Sequence, residues 1–296
     1  MRTKTKGVLA IIVSACIWSI QAVFAKHALE TRSVIHLLAV LTLMVTLATG
    51  ISIVASKKQS FRISKKHLIV TVLTGLIAGV FSDVLYFHAL KTVPVLNAML
   101  IAHLQVVVIL LLGFIFLKGD RLTKFDLGGM VLLMFSAAFV SSRSLDNLLG
   151  LRLGTHGDLL VFFAMFGWAV SATFIRRDLT TVHETVSSFY RFLVLFPIFI
   201  VILLVRESIL PPTGWEIAAG LCSISGFLLY MYGIRRIKAA QVASLELTAP
   251  LFGLAMGFLF LGEGVTMFQM VGILFLIPGI LLLARHEDLP PVQEAP

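Results

Sequence analysis

Apolar residues occur in ten long runs, and a short polar or basic stretch separates each run from the next. The runs cover approximately 7–27, 34–55, 68–90, 95–117, 125–142, 156–176, 186–204, 215–234, 240–261 and 266–285. A helix needs about 20 apolar residues to cross the hydrocarbon core of a bilayer. The pattern therefore predicts an all-α polytopic membrane protein with ten transmembrane helices and no soluble domain.

The second half of the chain repeats the first. A constant offset pairs Tyr86 with Tyr230, and a slightly longer offset nearer the start of each half pairs Trp18 with Trp168. Aromatic and glycine matches carry the argument, since leucine and phenylalanine coincide by chance in apolar sequence. Each copy holds five spans, so the second copy is expected to lie upside down relative to the first. Inverted repeats of this kind are typical of secondary transporters.

This duplication predicts the domain organisation. It comprises a cytoplasmic N-terminal segment (1–6), a first five-helix repeat (7–142), a connecting loop (143–155), a second five-helix repeat (156–285) and a cytoplasmic tail (286–296).

Composition and charge agree with a membrane location. Hydrophobic residues make up 58% of the chain and charged residues 13%, against about 45–50% and about 25% in soluble domains. The formal charge of +9 comes largely from alternate loops such as 1–6, 57–66 and 235–238, which is a topology signal rather than a nucleic-acid footprint. The positive-inside rule then predicts that both termini lie in the cytoplasm. The membrane is expected to be the inner (cytoplasmic) membrane.

Two carboxylates fall inside predicted spans, where ionisable groups usually face a partner helix or a water-filled cavity. Asp83 shares a helical face with Gly75, Gly79 and Tyr86; it is either functional or a helix-to-helix hydrogen-bonding group. Glu246 precedes Pro250, which permits a kink. We expect Glu246 to be a proton-linked or solute-contacting group; the alternative is a hydrated carboxylate at a helix end.

Other polar and aromatic side chains inside the spans are candidates to contact a solute. Trp18 and Trp168 fall near the middle of their spans, so they either line a cavity or supply packing bulk. Asn97 and Gln241 are repeat partners, and each either faces the cavity or caps a helix start. The full predicted solute-contacting set is Trp18, Gln21, Tyr86, Asn97, Trp168, Tyr230, Gln241 and Ser244.

Several remaining groups are interpreted as structural. His88 and His103 are predicted to be hydrogen-bonded core histidines, with a proton relay through one of them as the alternative. Arg191 is predicted to extend its charge to the membrane surface. Cys16 and Cys222 are expected to be free thiols. We find no catalytic constellation and predict no metal and no cofactor.

The chain resembles the drug/metabolite transporter superfamily, in particular its ten-helix EamA group, over about 7–285. The motifs that carry the resemblance are Leu85-Tyr86-Phe87-His88-Ala89-Leu90, Ala239-Ala240-Gln241-Val242-Ala243-Ser244, Ala249-Pro250-Leu251-Phe252 and Leu261-Gly262-Glu263. It implies a central cavity formed largely by helices 1, 3, 4, 6, 8 and 9, with Glu263 as a structural loop residue. Two departures occur in the first half: His103-Leu104-Gln105-Val106 replaces an expected proline, and Lys118-Gly119-Asp120 replaces a Gly-Glu pair.

The sequence thus favours a secondary transporter that moves a small organic solute by alternating access, as an exporter, with protons as the candidate coupling ion. Its expected partners are the solute and the lipid bilayer. Its expected oligomeric state is a monomer or a homodimer. Two other classes stay open: a membrane-embedded enzyme acting on lipid or peptide, and a channel-like facilitator.

Overall fold

A computed structural model describes residues 3–56, 59–116, 123–142, 144–150, 154–179, 181–234, 236–237, 242 and 245–284. Within these ranges the chain forms ten main helices and a single-turn helix, Leu145–Leu149, between the two halves. The main helices are α1 Thr3–Ala28, α2 Val34–Ala55, α3 Lys65–Leu90, α4 Val95–Phe116, α5 Lys124–Ser142, α6 His156–Asp178, α7 Glu184–Arg206, α8 Gly214–Ile234, α9 Ala249–Leu261 and α10 Met267–Ala284.

The helices fit the predicted spans closely. Eight of them, α1 to α8, are long and apolar enough to cross a membrane, and α9 and α10 are shorter apolar helices. The chain is therefore an all-α polytopic membrane protein, as predicted. The predicted ninth span starts earlier than α9, and 240–241 and 243–244 lie outside the described residues.

Capping boxes close several helix starts, which matters because an unpaired backbone N–H is costly in or near a bilayer. At the start of α6 the Thr155 N–H donates to Asp158 Oδ2 at 2.7 Å, and the Asp158 N–H donates to Thr155 Oγ1 at 3.3 Å. The same reciprocal bonding joins Thr213 to Glu216 at α8. These caps fix where each helix enters the bundle.

Two helices are interrupted at matching places in the two halves. In α4 the regular helix stops at Leu104 and resumes at Gln105, and ahead of α9 the chain makes a turn at Leu247 and Thr248. The repeat offset that pairs Tyr86 with Tyr230 also pairs Leu104 with Thr248. The predicted kink near Pro250 is therefore present, and its counterpart in α4 forms without a proline.

A histidine supports the backbone at the α4 break. His103 Nδ1 lies 2.6 Å from the Met99 carbonyl oxygen, and the Leu104 N–H donates to the Ile101 carbonyl at 3.1 Å in a tighter turn. A side chain thus bonds a carbonyl at the point where the regular helical pattern ends. This contact explains how the departure from proline at 103–106 still gives an interrupted helix.

A π-helical stretch, Leu76–Asp83, lies in the middle of α3 between two α-helical parts. Sequence periodicity gave no sign of it. The wider turn places Gly79 directly against Leu195 of α7, and a side chain at this glycine would collide with that leucine. Single-turn π-bulges occur often at functional sites, and this one ends at Asp83.

The main helix contacts have a regular arrangement across the two halves. α1 packs on α8, and their repeat counterparts α6 and α3 pack on each other. Similarly, α1 contacts α9 while α6 contacts α4, and α2 contacts α8 while α7 contacts α3. Three further contacts each join a helix to the helix at the same position in the other half: α2 packs on α7, α4 on α9 and α5 on α10.

The loops group at two faces of the bundle. At one face the start of α1 meets the loop after α8, since a β-carbon at Gly7 would lie 3.0 Å from Ile237 Cγ2. At the other face the start of α6 meets the loop after α3, where Gly157 contacts Thr92 and Val93. We call these the Gly7 face and the Gly157 face. The inverted duplication itself stays a prediction, as does the assignment of the Gly7 face to the cytoplasm.

Candidate functional site

A cavity of about 230 Å³ lies between the two halves in the middle of the bundle. Side chains from α1, α3, α4, α6 and α8 line it, together with Glu246 just ahead of α9. Two further helices contribute as well: α2 supplies Leu38, Leu41 and Thr42, and α7 supplies Arg191 and Phe192. The wall is mostly apolar, so the few polar groups that face the cavity determine what it can bind.

Two tryptophan–tyrosine pairs form opposite parts of the wall. The rings of Trp18 and Tyr230 have centroids 5.1 Å apart, and the rings of Tyr86 and Trp168 also have centroids 5.1 Å apart. In each pair the indole comes from the first helix of one half and the phenol from the third helix of the other half. All four side chains line the cavity, and they offer flat surfaces to an apolar or aromatic group.

Asp83 lies at the end of the π-helical stretch and faces the same cavity. Its Oδ1 accepts a hydrogen bond of 2.7 Å from the indole Nε1 of Trp168. The carboxylate thus bonds a neighbouring helix, and a functional role for it stays a prediction.

Arg191 is a cavity residue that sequence reasoning missed. The prediction that it extends to the membrane surface is wrong: the side chain lines the cavity, and its guanidinium lies 5.4 Å from the centroid of the Phe227 ring. Its Nε is buried and has no hydrogen-bond partner. The sequence carried one usable signal, because Arg191 is the one charged residue inside the apolar run 186–204.

Glu246 lies in the cavity wall with only 2% of its surface exposed. It interacts electrostatically with Tyr230 of the same wall. Among the described residues it has no hydrogen bond and no ion pair. Glu246 ends a short helical stretch, directly before the turn at Leu247 and Thr248, and its role as a proton-linked or solute-contacting group stays a prediction.

The remaining predicted contact residues fall into three groups. Gln21 lines the cavity, and its Nε2 donates to Ser223 Oγ at 2.6 Å. Asn97 is fully buried and lies away from the cavity. Its Oδ1 accepts a 2.8 Å hydrogen bond from Gln269 Nε2, which joins α4 to α10. Gln241 and Ser244 lie outside the described residues.

The two histidines differ from each other. His103 is buried, as predicted, and also lines the cavity. His88 is exposed on α3, so its predicted place in the core is wrong. Whether a residue near the end of a helix is buried depends on how that helix is rotated in the bundle. The sequence pattern near the end of α3 does not determine that rotation.

An ion pair ties three segments together at the Gly157 face. Lys26 Nζ lies 2.6 Å from Glu263 Oε1 and donates to the Val93 carbonyl at 2.9 Å. Glu263 Oε2 accepts a 2.8 Å hydrogen bond from the Val95 N–H at the start of α4. These bonds connect α1, the α3–α4 loop and the loop after α9, in keeping with the structural role expected for Glu263.

Comparison with known proteins gives the family. The model of the EamA-like transporter family matches this chain twice, over residues 5–142 and 155–285. The chain belongs to the EamA-like transporter family. The two matched regions coincide with the two predicted repeats, and between them they include nearly every residue described above.

Two individual proteins are similar to this chain. An uncharacterized transporter of Methanothermobacter thermautotrophicus is 26% identical over 230 residues, which cover 75% of this chain and 66% of that protein. The chain thus spans slightly less than two thirds of that relative. A protein of known crystal structure aligns with this chain at a TM-score of 0.69 and 20% sequence identity. The alignment covers 96% of this chain and 99% of that protein's chain. That likeness shows that the two chains share a fold.

Proposed function

We propose that this EamA family member is a secondary transporter for a small organic solute, and that the central cavity is its binding site. The observation that carries the proposal is the cavity itself, because both halves of the chain line it and its wall includes an aspartate, a glutamate, an arginine and a histidine. A membrane-embedded cavity with charged groups is a usual site for transported solutes.

The cavity volume limits the size of the solute. Pockets for drug-sized ligands measure about 300–1,000 Å³, and this cavity, at about 230 Å³, is smaller. The proposal is therefore a solute of metabolite size rather than a large drug.

Alternating access would proceed by movement of one half against the other. The Lys26–Glu263 pair, which joins α1 to the loop after α9 at the Gly157 face, would break and re-form during this movement. The paired interruptions at Leu104 and Thr248 would give α4 and the segment before α9 places to bend. We further propose that Glu246 carries the coupling proton, since it is buried in the wall without a hydrogen-bond or ion-pair partner among the described residues. Export is the proposed direction.

Flux in proteoliposomes tests the proposal. Wild-type protein should show saturable uptake or efflux that a pH gradient accelerates, and Glu246→Gln should retain exchange but lose the effect of the gradient. Glu30→Gln, an exposed carboxylate at the Gly157 face, is the matched control and should behave as wild type. Gradient-driven flux that persists in Glu246→Gln would remove the proton role.

The other two functional classes give different results in the same assay. A channel would show neither saturation nor stimulation by solute on the opposite side. An enzyme would consume the solute, which mass analysis of both compartments would detect. Comparing inside-out with right-side-out vesicles gives the direction of transport.

A further inference from the structure

A histidine at the α4 interruption presents one ring nitrogen to the cavity. His103 is buried, with 6% of its surface exposed, and it lines the cavity wall. Its Nδ1 lies 2.6 Å from the Met99 carbonyl oxygen. Its Nε2, at the end of the ring farther from the backbone, has no hydrogen-bond partner among the described residues and is not enclosed by protein atoms. Nε2 is therefore open to whatever occupies the cavity.

The backbone contact fixes which ring nitrogen carries the proton. A carbonyl oxygen only accepts hydrogen bonds, so Nδ1 must be protonated to bond Met99, and Nε2 of the neutral ring is then an acceptor. In the charged form Nε2 would be a donor, but a buried charge without an ion-pair partner is costly. His103 has no such partner in the described chain: neither Asp83 nor Glu246, the carboxylates of the same wall, lies within 4.0 Å of its ring nitrogens. Arg191 already brings a positive charge to this wall.

The surroundings hold the imidazole in this orientation. Met99, whose carbonyl bonds Nδ1, packs against α9, because a β-carbon at Gly253 would lie 2.9 Å from Met99 Cγ. On the other side Leu104 ends the regular helix, and its N–H donates to the Ile101 carbonyl at 3.1 Å. A binding group that is held in place before the solute arrives loses little conformational freedom on binding.

The histidine is an addition to the duplicated framework. Under the predicted repeat pairing, His103 corresponds to Leu247, which is buried and apolar. Pro250 accompanies the interruption in the second half, so the chain breaks there without an imidazole. Support of the backbone does not by itself require a side chain with a second polar atom, and His103 brings such an atom to the cavity.

We propose that His103 determines specificity in the central cavity, where its Nε2 accepts a hydrogen bond from an uncharged hydroxyl or N–H group of the solute. This inference rests on the proposed function and names a binding residue of the same site. The other acceptors differ in kind, since Asp83 and Glu246 are negatively charged when ionised and then suit a cationic donor. A neutral imidazole takes a neutral donor and adds no charge to the membrane interior. The tryptophan–tyrosine pairs of the same wall offer a flat surface to the apolar part of such a solute.

Two substitutions separate the cavity nitrogen from the backbone contact. His103→Asn places an amide near the position of Nδ1, so it keeps a donor for the Met99 carbonyl and removes Nε2. His103→Gln places its amide near the position of Nε2, so it keeps an acceptor for the cavity and loses the backbone contact. His88→Asn, at an exposed position on α3, is the control and should behave as wild type.

Ligand-dependent thermal unfolding of the purified full-length protein measures binding, because a molecule that binds the folded state raises its Tm. The probes are phenol and anisole, in which a methyl group replaces the hydroxyl hydrogen of phenol. We expect phenol to raise the Tm of wild type and of His103→Gln, with anisole requiring at least tenfold higher concentration for the same shift. In His103→Asn this preference should disappear. Equal shifts with both probes in wild type, no shift with phenol, or an undiminished preference in His103→Asn would overturn the inference.

Nitrogen NMR of wild-type protein labelled with 15N-histidine tests the assignment directly. The His103 signals are those missing from either His103 variant. We expect a proton on Nδ1 and none on Nε2, and an Nε2 signal that moves when phenol is added and stays in place with anisole. A proton on Nε2, or an Nε2 signal that phenol leaves unchanged, contradicts the inference. A histidine that only supported the backbone would give no response to phenol at Nε2.

The proposed function and this inference fail in different ways. Absence of saturable flux in proteoliposomes, with the NMR and unfolding results as expected, would refute transport and leave the binding role of His103 standing. Saturable flux together with a protonated Nε2 would refute the role of His103 and leave transport standing.

Discussion

The indole Nε1 of Trp168 lies 2.7 Å from Asp83 Oδ1, whereas Trp18, its repeat counterpart, has no such bond within the described residues. Instead, Trp18 Nε1 lies over Gly226, where a β-carbon would be 2.8 Å away. The two tryptophans occupy corresponding places beside a tyrosine. Only one of them has a carboxylate to bond, and this difference makes the two walls of the cavity chemically unequal.

Replacing the two tryptophans separately tests this inequality. Trp168→Phe removes the donor to the partly buried Asp83 carboxylate, and leaving a buried acceptor unsatisfied costs about 1–3 kcal/mol. Trp18→Phe removes a similar amount of indole surface and no hydrogen bond. Thermal unfolding in detergent should therefore give a lower Tm for Trp168→Phe than for Trp18→Phe; equal values would show that the bond contributes nothing.

The ion pair at the Gly157 face should contribute more than an ordinary surface pair. The side chains of Lys26 and Glu263 are only 22% and 16% exposed, and an exposed pair contributes about 0–1 kcal/mol. A double-mutant cycle with Lys26→Met and Glu263→Gln should give a coupling energy of about 1–2 kcal/mol. The same cycle on His27 and Glu30, where the glutamate is 66% exposed, should give a coupling near zero, and similar values for the two cycles would contradict the prediction.

A second buried pair fixes the loop ahead of α8. His36 Nδ1 lies 2.6 Å from Glu216 Oε1, and His36 Nε2 lies 2.9 Å from the Leu210 carbonyl oxygen. Both ring nitrogens of His36 therefore have an oxygen within hydrogen-bond distance, and Glu216 Oε2 also lies 3.7 Å from Arg32 Nε. Glu216 is fully buried and also accepts from the Thr213 N–H at 2.8 Å.

Glu216→Gln should therefore destabilise the protein strongly. Removing the charge of one partner in a buried pair costs about 3–5 kcal/mol, since the other partner is left buried and uncompensated. Glu207→Gln, an exposed carboxylate in the same loop, is the control and should shift the Tm little. Unfolding of Glu216→Gln at the wild-type temperature would argue against an ion pair at this place.

Close packing between α5 and α10 depends on glycine. A β-carbon at Gly272 would lie 2.6 Å from Val140 Cγ2 and 2.9 Å from the Ser136 carbonyl oxygen. Backbone cannot yield as a side chain can, so Gly272→Ala should destabilise by about 1–3 kcal/mol, the usual range for overpacking. Gly214→Ala has no atom within 4 Å of the new carbon and should be neutral or slightly stabilising. Measuring both by thermal unfolding separates the packing effect from the intrinsic preference for alanine in helices.

The fold could be predicted closely because the bilayer imposes a simple rule. A run of about 20 apolar residues has few options other than a spanning helix, and the helices begin and end near the predicted limits. The interruption near Pro250 was also predictable, because proline lacks the backbone donor that a helix requires. The π-helical stretch in α3 had no such local cause, and it depends on how α3 packs against α6 and α7.

The candidate site could be predicted only in part. The four cavity aromatics were predicted because they occur at matching positions of the two repeats: Trp18, Trp168, Tyr86 and Tyr230. The positions of Arg191 and Asn97 were not predicted correctly. A polar residue inside an apolar run faces a cavity, a neighbouring helix or the membrane surface, depending on how its helix is rotated.

The amino-acid order by itself determined which segments cross the membrane and that the chain is made of two related halves, because hydrophobicity and repetition are properties of the sequence alone. Tertiary packing decided which polar side chains come together: it places Asp83 and Arg191 in the wall of one cavity and pairs Asn97 with Gln269. The physical reason is that a lipid-exposed helix surface tolerates little besides apolar groups, whereas a polar side chain turned inward bonds whatever the neighbouring helices present.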